Sequence, residues 1–106
     1  MGEATINILK ECAPIFATLQ DESRQQILLL LFENREMTVN AIAEKMAISR
    51  PAVSHHLKQL LQTGVVSVRK VGKERRYSLS LDNSIRLLTA LLTALEDDHA
   101  QLSNSA

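Results

Sequence analysis

Between Ser49 and Gln59 the chain sets Ser49, Arg50, Ser54, His55, Lys58 and Gln59 in one run with no acid among them. Wound at about 3.6 residues per turn, this stretch gathers Val53, Leu57, Leu60 and Leu61 on one side. Pro51, Ala52, His55, Lys58, Gln59 and Gln62 lie opposite, and Ser54 and His56 flank them. Arginine offers a rigid fork of donors, lysine a point charge, and serine, histidine and glutamine both give and accept hydrogen bonds. Such a face recognises an acceptor-rich, anionic surface by hydrogen bonding and charge. A second set of cations follows at Lys73, Arg75 and Arg76.

Covalent chemistry is not expected. There is no Ser/His/Asp set, no glycine loop to cradle a phosphate and no paired carboxylates within an apolar pocket. The chain therefore reads as no enzyme and as needing no cofactor. Adjacent His55 and His56 point about 100° apart on a helix, which is wrong for chelating one metal. The single cysteine, Cys12, excludes an internal disulfide framework and a cysteine-cluster zinc finger. It reads as a small apolar residue, with pairing across two copies as the redox alternative.

Charge is unevenly placed. The formal net charge is zero, yet residues 45–76 hold eight basic residues against the single acid Glu74, a local excess of seven positive charges. A phosphate backbone responds to the local patch rather than the total.

The elements that must position these groups follow from periodicity and punctuation. Ile6, Leu9, Ala13 and Phe16 predict a helix over 4–19, kinked or restarted at Pro14. Asp21 is a candidate cap for a helix over about 22–34, whose RQQILLLLF supplies a thick apolar face. Thr38 caps a third helix, about 39–46, with Val39, Ile42, Ala43 and Met46 inward. Ser49 caps a fourth, Arg50 to about Thr63, with Pro51 tolerated in its first turn and Gly64 placed to end it. VVSVRKV and RRYSLSL on either side of GKE predict a two-stranded hairpin with a basic tip. Asp82 is a candidate cap for a last helix, about 83–99, carrying Ile85, Leu88, Leu92 and Leu95 in one stripe with Leu87 and Leu91 alongside. The stripe is wider than one neighbour requires. The closing QLSNSA is expected to fray.

Apolar residues make up 45% of the 106, aromatics only 3%, so the core must be aliphatic. A chain this short buries itself marginally, and pairing of two copies would help. No secretory signal or membrane-length apolar run is read, so the expected setting is the cytoplasm, with no membrane partner.

A short helix, a tight turn and a helix with that outer face make a helix-turn-helix, over about 38–63. Its second helix suits the DNA major groove, and the hairpin, about 65–80, suits the adjacent backbone or minor groove. The expected fold is mainly α with a small β-hairpin. It is one winged helix-turn-helix domain over 1–106, with about five helices and a two-stranded wing. The motifs LQDESRQQIL (19–28), TVNAIAEKMAISRPAVSHHLKQLLQTGVV (38–66) and VGKERRYSL (71–79) resemble the ArsR/SmtB family of winged-helix repressors. The recognition-helix match falls at Ser54, His56 and Leu57. The resemblance implies a homodimer held by the first and last helices, about 4–19 and 83–99, here through Ile6, Leu9, Phe16, Leu88, Leu92 and Leu95. It implies repression of nearby genes and release by an inducer, and two copies would place their 49–59 helices in successive major grooves of an imperfect palindrome of double-stranded DNA. The family's thiolate metal positions hold Thr38 and Asn40 here. In its last-helix site, Arg86 stands near where a histidine would be, although Glu96, Asp97, Asp98 and His99 could supply the other end. The expectation is a repressor without the usual metal sites. A repressor with an atypical metal or redox sensor, and a winged-helix protein-interaction module, are the alternatives.

Overall fold

Three side-chain oxygens open three of the helices. Asp21 Oδ2 accepts from the Arg24 amide at 2.9 Å, Thr38 Oγ1 from Ala41 at 3.2 Å and Ser49 Oγ from Ala52 at 3.2 Å. Each satisfies an amide that the first turn leaves unpaired. The computed structural model describes residues 1–104. Ser105 and Ala106, the end of the segment expected to fray, lie outside the described residues. The elements are α1 (Glu3–Leu19), α2 (Glu22–Asn34), β1 (Glu36–Met37), α3 (Val39–Glu44), α4 (Arg50–Gln62), β2 (Val66–Val71), β3 (Glu74–Leu79) and α5 (Asp82–Asn104).

Helix α4 packs on α2 and α3 packs on α4 and β3, which makes the helix-turn-helix, and the hairpin β2–β3 follows as the wing. Gly64 ends α4 at φ +75°, and Gly72 turns the hairpin at φ +62°, backbone conformations that glycine adopts without strain. Ile27, Leu31, Ile42, Val53, Leu57 and Leu60 are fully buried where these elements meet. At about 25 cal/mol per Å² this apolar core supplies the main stabilising term.

Five expectations need correction. The sheet has three strands, not two, in the order β1-β3-β2. Strand β1 pairs Glu36 with Ser78 and Met37 with Tyr77, and two residues are too few to show alternation. Pro14 does not interrupt α1, which runs unbroken to Leu19. Only one ladder bond is lost, on a solvent-facing side, and Thr18 Oγ1 donates to the Pro14 carbonyl at 2.8 Å. Helix α5 takes Asp82 into its first turn rather than being capped by it, because the Ile85 amide bonds the Leu81 carbonyl, and it continues past His99 to Asn104, since no glycine or proline stops it. Helix α3 ends at Glu44, short of Met46, because Lys45 already closes a tighter turn on Ile42.

The terminal helices bury other faces than their largest residues suggest. Helices α1 and α5 lie antiparallel, with Thr5 against Asp98 at one end and Cys12 Sγ 3.6 Å from the Leu87 carbonyl further along. The face of α1 turned inward is Thr5, Cys12, Ile15 and Thr18; that of α5 is Ser84, Leu87 and Leu91. Ile6, Leu9 and Phe16 are left half-buried, and Ile85, Leu88, Leu92 and Leu95 are exposed. On α2, Leu29 and Phe32 also face outward. The radius of gyration is 17.4 Å, against about 13 Å for a compact chain of this length. The α1–α5 pair extends from the body as an arm with an open apolar side.

Candidate nucleic-acid interface

Helix α4 presents its outer face because Val53, Leu57 and Leu60 lock the other side into the core. Ser49, Arg50, Ser54, His55 and Lys58 are exposed. Ser49 also caps the helix, so its hydroxyl is already turned to the Ala52 amide. Gln59 is only half-exposed. Its Oε1 accepts from Arg24 Nη1, and its Nε2 stands 3.2 Å from His55 Nε2.

Arg24, a polar residue within LQDESRQQIL that no apolar periodicity singles out, is central here. Its Nε donates to the Thr18 carbonyl at 2.7 Å and its Nη2 to the Ala17 carbonyl at 3.4 Å, both at the unpaired end of α1. His56 Nδ1 lies 3.5 Å from Arg24 Nη1 and 3.9 Å from Asp21 Oδ2. The hydrogen bond from the Arg24 amide holds the Asp21 carboxyl below its ordinary pKa. His56 thus ties α4 to the start of α2. Nothing in local periodicity signals this network, because its partners are 32 and 35 residues apart.

The wing's pleat sorts its cations. Successive side chains on a strand alternate between faces. With Lys70 opposite Arg75 and Val68 opposite buried Tyr77, Lys70 and Arg75 share the inner face. Arg69 lies opposite Arg76 on the outer face. There Glu36, which lies outside the basic segment and was missed in sequence, engages both: Arg69 through two hydrogen bonds of 2.6 and 2.9 Å, Arg76 at 3.8 Å. Arg76 also reaches Glu74 at 3.3 Å. The Arg69 guanidinium lowers the Glu36 pKa, and Glu36 raises that of Arg69. On the inner side, Lys73 and Arg75 join Arg50, Thr38 and Asn40 around one open groove between the wing tip and the starts of α3 and α4, where Glu74 is the one acid of the lining. This brings together the predicted cations of the helix and of the wing tip, with Arg76 turned away toward Glu36.

At the far end of the arm, Asp98 Oδ2 accepts from the Thr5 hydroxyl at 2.7 Å and the Gly2 amide at 3.0 Å, which lowers its pKa. Glu96, Asp97 and His99 face solvent. Arg86 is bonded to Asn83 at 2.7 Å, Thr38 is the α3 cap and Asn40 is exposed. Among the described residues, no helix is long and apolar enough to cross a membrane.

Residues 21–68 match the model of the arsR family of bacterial regulatory proteins. The transcriptional repressor SdpR of Bacillus subtilis is 36% identical over 87 residues, 79% of this chain and 96% of that protein. An ArsR-like transcriptional regulator from Rhodococcus sp. RHA1 superposes with a TM-score of 0.74 at 31% identity, covering 92% of this chain and 94% of that one. A homodimeric winged helix-turn-helix DNA-binding domain from Mycobacterium bovis, described as a possible ArsR-family regulator, gives 0.68 at 27% identity, with 95% and 92% covered.

Proposed function

The chain belongs to the ArsR family of bacterial regulatory proteins and is a DNA-binding transcriptional regulator; from that premise we propose that two copies dimerise and repress genes by occupying an imperfect palindrome. In this reading residues 1–106 act as one domain. The helix-turn-helix is about 38–63, the wing about 65–80, and the helices at 4–19 and 83–99 hold the dimer. Helix α4 enters the major groove. Arg50 and His55 read base edges, while Ser49, Ser54, Lys58 and Gln59 supply phosphate or base-edge contacts. Lys73 and Arg75 hold the backbone, with Arg76 at the margin. No catalytic role is assigned, and the setting is the cytoplasm.

The observation that carries this is the groove where Arg50, Lys73 and Arg75 outnumber the single acid Glu74, beside an acid-free outer face of α4. A protein-interaction module would have no use for such a cationic seam. The dimer is supported by the open apolar side of the arm: Ile6, Leu9 and Phe16 on α1, and Leu88, Leu92 and Leu95 on α5. A contiguous apolar stripe left exposed along a helix pair marks a surface that a partner covers. Function without the family's usual metal sites is supported by residue chemistry. Thr38, Asn40 and Arg86 are not soft-metal ligands.

Fluorescence anisotropy on the duplex upstream of the protein's own gene, at several salt concentrations and with or without zinc, tests the reading. Tight binding with a steep salt slope, unchanged by zinc, is expected. Release by zinc would restore the acidic end of α5 as a sensor. Binding no better than to random DNA, there and in a genomic fragment selection, would favour the protein-interaction module.

A further inference from the structure

Arginine carries only donors. Arg24 Nη1 can therefore meet Gln59 only through the amide oxygen, as it does. That choice leaves Gln59 Nε2, also a donor only, against His55 Nε2 at 3.2 Å. His55 Nε2 must then accept. A neutral imidazole that accepts at one nitrogen carries its proton on the other. The chain of donors runs one way, from Arg24 through Gln59 to His55, and it ends on the exposed face of α4.

We propose that Arg24 is a positioning residue that sets the tautomer of His55 through Gln59, so that α4 offers an Nδ1–H donor to an acceptor on DNA. The inference rests on the DNA-binding reading for its consequence, but not for its geometry. A donor at this position selects acceptors: guanine N7 or O6, adenine N7, thymine O4 or a phosphate oxygen, but not the exocyclic amines. With the opposite tautomer, His55 would present an acceptor there and favour the exocyclic amine of adenine or cytosine. Arg24 also grips the Thr18 and Ala17 carbonyls, so the relay is anchored on the helix that leads into the arm. His56, the neighbouring imidazole, packs beside the same guanidinium at 3.5 Å and holds α4 close to α2.

Nitrogen-15 NMR of the imidazoles in the full chain, free of DNA at a pH of about 8 where histidine is neutral, reads the tautomer directly. The His55 signals are assigned by their loss in His55→Ala. The wild type is expected in the Nδ1–H form. Gln59→Glu offers oxygens to both neighbours, so His55 should turn to the Nε2–H form. Arg24→Met should release the amide and give a mixture. Packing alone would not move these signals. Should Arg24→Met fail to fold, Gln59→Glu still decides. An Nε2–H wild type, or an Nδ1–H form that persists in Gln59→Glu, overturns the proposal. In a duplex selection, Gln59→Glu should change the preferred base at the same position per half-site that His55→Ala relaxes, whereas a change at another position would report only a lost contact of Gln59 itself. If the tautomer turns but the selected sequence does not, His55 does not read DNA and the consequence falls. If the wild type itself enriches no sequence, the DNA-binding reading fails while the relay stands.

Discussion

Arg69 meets Glu36 with two parallel hydrogen bonds, Nε to Oε2 at 2.6 Å and Nη2 to Oε1 at 2.9 Å, across the outer face of the wing. Arg76 shares the same carboxylate at 3.8 Å. Two of the wing's cations are therefore occupied by an acid that would compete with phosphate. Glu36→Gln should free them. Affinity for every duplex should rise together, and the slope of log affinity against log salt should steepen by about one. Weaker binding would mean that Glu36 orders the wing rather than restraining its charge.

The two cation sets should separate by mutation. His55→Ala or Arg50→Ala should cost roughly 1–3 kcal/mol on the selected operator and relax specificity at one base pair. Lys73→Ala or Arg75→Ala should weaken all duplexes alike and reduce the salt slope by about one. A His55 variant with unchanged specific affinity would show that α4 is rotated differently on DNA.

Leu92 is 58% exposed on α5 and lies outside the buried core cluster. Leu92→Glu should therefore leave the helical content of the protomer intact and abolish the dimer in sedimentation velocity. A stable dimer would take the α5 stripe out of the interface.

Asp98 closes the far end of the arm, and its pKa lies below the ordinary value of 3.8 chiefly because of the Thr5 hydroxyl bond. The native state thus binds fewer protons there than the unfolded chain. Its contribution to stability is present above 3.8 and is lost as pH falls through the lowered value. Asp98→Asn should melt below the wild type at neutral pH, and the gap should close in strong acid. A gap independent of pH would assign the effect to packing.

Much of this was legible in sequence because it is local. Asp21, Thr38 and Ser49 each sit three residues before the amide they accept from, and Gly64 and Gly72 take the positive φ their turns require. What was hidden depends on distant neighbours. Periodicity found the apolar stripes of α1 and α5, but not which stripe the protomer keeps for itself. Thr5, Cys12 and Thr18, small or polar, go inward, while Leu92 and Ile85 stay out. Strand β1 is too short for a pattern, and Arg24, Gln59 and Glu36 acquire meaning only when remote elements meet.

The central claim is that two α4 helices enter successive major grooves of one operator. Methylation interference at guanine N7 tests it directly, because that atom lies only in the major groove. Two clusters of interference about one helical turn apart, roughly 10 base pairs, are expected on the recovered operator. A single cluster, or binding indifferent to N7 methylation, would contradict it.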